Sequence, residues 1–239
     1  MAREDARLRI LAADDDPVMR RLFQNYLADD QFELALVSDG ESAIETAPLF
    51  QPKLVFLDVI MPNMDGLSAL ATLREMSGFR QTPVIIITSR TDTVTLIQAI
   101  ENGATDFLSK PFTKEKLKHK IRFLLQPEDE RKEIAGLFFI ESIEETVENI
   151  SDLRRKMLLN IEYIYLYLLK LVVMENPAEI TPVAWRLLNS ISALKLNPLK
   201  GKVVQMMAAV KTREWEGAII YLEEIYIYLK DLARQEQLS

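Results

Sequence analysis

Two hydrophobic patterns divide the chain. Up to residue 125, short aliphatic runs alternate with longer stretches whose apolar positions recur every three or four residues. The runs Leu8–Ala13, Glu33–Val37, Lys53–Leu57, Pro83–Thr88 and Thr105–Leu108 are bounded by Asp, Gly, Pro or Asn, which predicts strands. Between them, Pro17–Ala28, Gly40–Ala47, Leu67–Glu75, Thr91–Asn102 and Thr113–Leu125 carry helical spacing. Leu54–Leu57 and Val84–Ile87 are apolar on both faces, as central strands of a parallel sheet are when helices cover both sides. Five strand–helix units predict an α/β, doubly wound sheet whose ligands bind at the carboxyl ends of the strands.

After Pro127 the alternation stops, so the expected domains are 1–126 and 127–239. Glu130–Glu175 contains no Pro and one Gly. Its apolar residues Ile143, Val147, Ile150, Met157, Ile161, Ile164, Leu168 and Leu171 recur at alternating spacings of three and four, with Arg154 in one slot. That is a seam for a partner helix, in a coiled coil or an antiparallel bundle, ending at Asn176-Pro177. Two or three further helices are expected, over Pro182–Leu194, Pro198–Lys211 and Glu214–Arg234, the first two segments with Pro in the first turn. The second half therefore reads as an all-α helical bundle. Ile164-Tyr165-Leu166-Tyr167-Leu168 is echoed by Ile225-Tyr226-Ile227-Tyr228-Leu229, as two buried helices of similar composition would be.

Composition narrows the chemistry. The 239 residues include no cysteine, which excludes disulfides and thiolate metal sites, and one histidine, His119, which excludes a multi-histidine centre. A net charge of −7 argues against non-specific nucleic-acid binding. The N-terminus has no apolar core of the signal-peptide kind, and Met157–Met174, the most apolar stretch, contains Glu162 and Lys170. A cytoplasmic chain with no membrane segment is expected.

The informative residues close the strands. The first predicted strand runs into Asp14-Asp15-Asp16-Pro17, the third ends at Asp58, the fourth at Thr88, and Lys110-Pro111 follows the fifth. In a doubly wound sheet these ends converge on one crevice. Asp16 suits a helix N-cap. The other carboxylates would repel one another and raise one another's pKa unless a hard divalent cation lay among them, and carboxylate oxygens with water are what Mg²⁺ prefers. A carboxylate beside such a cation can attack phosphorus and form an aspartyl phosphate, with the cation and Lys110 stabilising the transferred group.

Residues 7–125 closely resemble the receiver domain of two-component response regulators. The resemblance rests on Ile10–Pro17, on Leu57-Asp58-Val59-Ile60-Met61-Pro62-Asn63-Met64-Asp65-Gly66, on Ile86-Ile87-Thr88-Ser89 and on Asp106–Phe112. The successive intervals of 43, 30 and 22 residues, from Asp15 to Asp58, from Asp58 to Thr88 and from Thr88 to Lys110, also fit. It implies a flavodoxin-like five-stranded sheet of order 2-1-3-4-5. It implies Asp58 as phosphoacceptor, and a Mg²⁺ site of Asp58, Asp15 directly, Asp14 through water and the Ile60 backbone carbonyl. Thr88 would be the switch hydroxyl, Lys110 the partner of the phosphoryl group, and Phe107 the aromatic that changes rotamer with Thr88. A cis Lys110-Pro111 bond is implied as well. Ile60 and Arg90 flank the implied phosphoryl position, and an apolar Ile60 cannot place an attacking water, so a long-lived phosphoryl group is expected. A sensor histidine kinase or phosphotransfer protein would be the donor.

The output half is less explicit. Residues 128–239 hold 14 Lys and Arg against 18 Asp and Glu, with no clustered basic helix, which disfavours DNA binding. Asn197-Pro198-Leu199-Lys200-Gly201 resembles the core of histidine phosphotransfer domains, but an amide stands where the phosphorylated histidine would be. The expected output is interaction with an unknown downstream protein, together with a homodimer through 130–175. The alternatives are an unrecognised enzyme, such as a phosphatase using Glu141, Glu144, Glu145 and Glu148, and an atypical DNA-binding output.

Overall fold

The computed structural model describes residues 7–28, 31–89, 93–126 and 150–236. Five parallel strands, β1 (Leu8–Ala13), β2 (Phe32–Val37), β3 (Leu54–Asp58), β4 (Val84–Thr88) and β5 (Asp106–Ser109), form one sheet of order β2-β1-β3-β4-β5. This is the flavodoxin-like order. Helices α1 (Pro17–Tyr26), α2 (Gly40–Phe50), α3 (Gly66–Glu75), α4 (Thr93–Glu101) and α5 (Lys114–Leu124) alternate with the strands. Every residue of β3, β4 and β5 is buried, as the doubly apolar runs required. Register pairs Ala13 with Leu57, Asp58 with Ile87, and Thr88 with Ser109, which brings the carboxyl ends of β1, β3, β4 and β5 to one edge.

Three aspartates start the helices nearest that edge. Asp16, Asp39 and Asp65 each accept a backbone N–H from the first turn of α1, α2 and α3, at 2.8, 2.8 and 2.7 Å. The Ser42 N–H, with the hydroxyls of Ser42 and Ser38 and the side chain of Asn63, holds the Asp39 carboxyl below its usual range against the opposing effect of burial. Gly66 lets α3 approach β3: a Cβ there would lie 2.0 Å from the Asp58 carbonyl oxygen.

By its internal packing the chain forms two units, Met1–Lys118 and His119–Ser239. The division falls inside α5, so the last turns of that helix pack with the second unit. That unit also holds α6 (Ile150–Leu159), α7 (Ile161–Val173), α8 (Pro177–Ala193), α9 (Asn197–Thr212) and α10 (Trp215–Gln235). All its described elements are helices, in agreement with the all-α expectation. Helix α10 packs against α6, α7 and α9, and α8 packs against α7 and α9.

Several sequence expectations are corrected. The Glu130–Glu175 seam is not one uninterrupted helix: α6 and α7 are separate, with Asn160 between them. The Asn160 N–H turns back to Met157 and its buried side chain meets the His119 ring at 2.9 Å. From Met157 onward the seam residues Met157, Ile161, Ile164, Leu168 and Leu171 are buried inside the unit, which is the bundle alternative. Ile143, Val147 and Glu141–Glu148 lie outside the described residues. Helix α8 starts at Pro177, not Pro182, and Pro182 sits inside it. Pro177 takes the first-turn place, whereas Pro182, past the first turn, forgoes the bond its N–H would have made and crowds the carbonyl four residues back, a cost the packing of α8 absorbs. Likewise α2 continues past Pro48 to Phe50 and ends on Gln51 in the left-handed region. The repeated Ile-Tyr-x-Tyr-Leu segments are neighbours: the equivalent residues Tyr165 and Tyr226 stack at 4.3 Å between centroids, tying α7 to α10.

Candidate functional site

Asp14 follows β1 directly and is fully buried. Its backbone N–H donates to Val37 O at 3.2 Å, prolonging the sheet by one residue. One carboxylate oxygen accepts the Asp16 N–H at 3.0 Å and the other accepts the Lys110 ammonium at 2.8 Å. Asp15 is exposed. Asp58, the last residue of β3, is nearly buried, and its carboxylate lies 3.1 Å from the same Lys110 nitrogen. Asp14, Asp15 and Asp58 each offer one carboxylate oxygen, and these lie within 4.8 Å of one another.

Lys110 reaches the cluster because β5 sets it there: its backbone N–H donates to Thr88 O at 2.8 Å, just beyond the Thr88–Ser109 pair. The Lys110-Pro111 bond is cis. Burial alone would pull the Lys110 ammonium down, but the Asp14 and Asp58 carboxylates more than offset it and hold the group above its ordinary value. Asp58 goes the other way. Burial pushes its carboxyl up to about 6; Lys110 opposes this, and Asp14 and Asp15 add to it. Three acids and one ammonium around a small volume leave an excess of negative charge.

These observations fit a hard cation. The donors are oxygens, one carboxylate is open to solvent, and the cluster retains uncompensated negative charge. Asp14, Asp15, Asp58 and Lys110 are thus brought together. Thr88 is buried at the end of β4. Phe107 is wholly buried in β5, opposite Ile86, and its N–H donates to the Asp106 carboxylate at 2.7 Å. Ile60 is exposed, two residues after Asp58. Arg90 lies outside the described residues.

One site residue has no forecast in the strand-end pattern. Arg20, in the first turn of α1, donates from one guanidinium nitrogen to the carbonyls of both Asp14 and Asp15, at 2.6 and 2.9 Å. The only sequence signal is its place five residues after Asp15.

Residues 10–122 match the family model described as the response regulator receiver domain. This segment is a receiver domain. The DNA-binding response regulator MtrA of Mycolicibacterium smegmatis is 35% identical over 136 residues, which cover 56% of this chain and 58% of that protein. The response regulator MprA of Mycobacterium leprae is 34% identical over 134 residues, 55% of this chain and 58% of that one. The solved structure of the Vibrio cholerae chemotaxis protein CheY4 shares 29% identity at a TM-score of 0.49, covering 50% of this chain and 100% of that one. The chain thus spans little more than half the length of the curated relatives it matches. Among the described residues no helix is long and apolar enough to cross a membrane.

Proposed function

We propose that the chain is a response regulator whose Asp58 accepts a phosphoryl group from a sensor histidine kinase or phosphotransfer protein. The observation that carries this reading is the Lys110 ammonium held between Asp14 and Asp58, at 2.8 and 3.1 Å, beside three convergent carboxylates. An Asp58 carboxylate oxygen attacks phosphorus; the bond from phosphorus to the donor breaks, and its electron pair leaves with the donor nitrogen. Asp14, Asp15, Asp58 and the backbone carbonyl of Ile60 would hold Mg²⁺. When bound, that ion supplies positive charge against the phosphoryl oxygens. Lys110 keeps its proton and pairs with the group as it arrives. Thr88 is the switch hydroxyl and Phe107 the aromatic that answers it. Ile60 is unable to position water, so the aspartyl phosphate is long-lived. The domain line proposed for the receiver and output is 126/127, and the compartment proposed is the cytoplasm.

The output reading is binding of a downstream protein by the helical unit. A homodimer through 130–175 would draw on residues before Met157, because the later seam residues are buried in the fold. The relatives' names favour a second reading, a DNA-binding output. Against it stand the 14 basic and 18 acidic residues of 128–239.

Labelling with radioactive acetyl phosphate tests the receiver reading. Wild type takes up label in Mg²⁺, whereas Asp58→Ala and an EDTA-treated sample do not; equal labelling of Asp58→Ala would refute it. Light scattering of the same samples with beryllofluoride reports the output. A mass change that needs Asp58 supports the dimer, and retention on DNA at physiological salt supports the second reading instead.

A further inference from the structure

Arg20 makes its only described side-chain hydrogen bonds to the backbone of the acidic loop, with one nitrogen on Asp14 O at 2.6 Å and Asp15 O at 2.9 Å. The same loop is held at other points. The Asp14 N–H is fixed to β2, the Asp14 carboxylate is shared between the Asp16 N–H and Lys110, and the Asp16 carboxylate caps α1. What is left to orient is Asp15, exposed and carrying the most accessible carboxylate of the three. Its side-chain direction follows from its φ and ψ, and the two carbonyls that bracket its Cα are the two that Arg20 grips. An arginine suits this task because its planar fork delivers two N–H groups in fixed directions.

We propose that Arg20 is a positioning residue of the cation site: its guanidinium sets the Asp14-Asp15 backbone so that the Asp15 carboxylate faces Asp58 before any cation arrives. This rests on the cation-site reading above. It assigns Arg20 a role opposite in sign to its charge. A positive group near the site weakens cation binding by repulsion, so removing it for charge reasons alone would tighten binding. Loss of a partner that orients a metal ligand weakens binding, by about tenfold or more. The direction of the change therefore separates the two roles.

The test is Mn²⁺ titration of the full chain, free ion being counted by electron paramagnetic resonance, with apo Tm measured alongside. Wild type binds one Mn²⁺ and Asp15→Asn loses it; failure of this control refutes the cation-site reading itself. Given the control, Arg20→Met raises the Mn²⁺ Kd about tenfold with the apo Tm nearly unchanged. Arg20→Lys, which keeps the charge and can still donate to a carbonyl, recovers part of that loss. An Arg20→Met protein with wild-type or tighter affinity overturns the proposal. If Arg20→Met does not fold, Arg20→Lys decides: a Kd above wild type supports the proposal, and a Kd equal to wild type overturns it.

Discussion

Protonation and cation binding compete for the same oxygen at Asp58. Its carboxyl is raised from the ordinary 3.8 to about 6, chiefly by burial. Below that pH the folded chain carries a proton which a cation must displace; above it the carboxylate is already free. Mn²⁺ affinity is therefore flat above pH 6 and falls about tenfold per unit below it. In Asp58→Asn the break near pH 6 disappears, and a break that persists there would assign the titration to another group. The acids themselves were legible from sequence because each falls where a strand must end. Arg20 and Gly66 were not. Their roles are to backbone atoms, carbonyls that they grip or approach, and no side-chain pattern announces which carbonyl will be near.

At the scale of elements, the joints between α5 and the following helices were the least legible part, since they pair residues 40 to 42 positions apart. On α5 the His119 ring meets Asn160, the buried Lys120 lies 3.8 Å from Glu162, and Phe123 stands edge-on to Tyr163 at 4.7 Å. The heptad-like spacing therefore continued smoothly across a position where Asn160 stops α6. Burial holds His119 below its ordinary 6.5; the Asn160 hydrogen bond opposes this, and Lys120, Arg122 and Arg155 add to it. The unfolded chain takes up a proton near pH 6.5 that the folded chain resists. Stability is thus fully present above pH 6.5 and is lost as pH falls through that value towards the folded pKa. Cooling of Tm between pH 7.5 and 5.5 is expected to be a few degrees larger in wild type than in His119→Gln, which keeps a partner for Asn160 but does not titrate. Equal losses in both proteins would remove His119 from the account.

For the whole molecule, the change of pattern after residue 125 located the switch from α/β to all-α, but packing divides the chain between Lys118 and His119. The discrepancy has a physical source: a helix can present one turn to one core and the next turn to another, and its hydrophobic spacing is the same in both. Ile121, Phe123 and Leu124 are buried, and Glu162, with no exposed surface, faces Lys120. A fragment beginning at residue 127 keeps Glu162 but loses Lys120 and Phe123, whose ring stands edge-on to Tyr163. Each buried apolar side chain is worth about 1.5–3 kcal/mol, and a buried carboxylate stripped of its ammonium adds a further penalty. The fragment 127–239 should therefore melt at least 10 °C below a fragment 113–239 that retains α5, or fail to melt cooperatively. Calorimetry of the two fragments decides it. Equal Tm values would mean that the last turns of α5 add nothing to the helical unit, and 126/127 would stand as the true line between two independent domains. A large deficit would mean that the receiver's last helix is also the first helix of the output. A shift of α5 on phosphorylation would then act on the core of the helical unit itself.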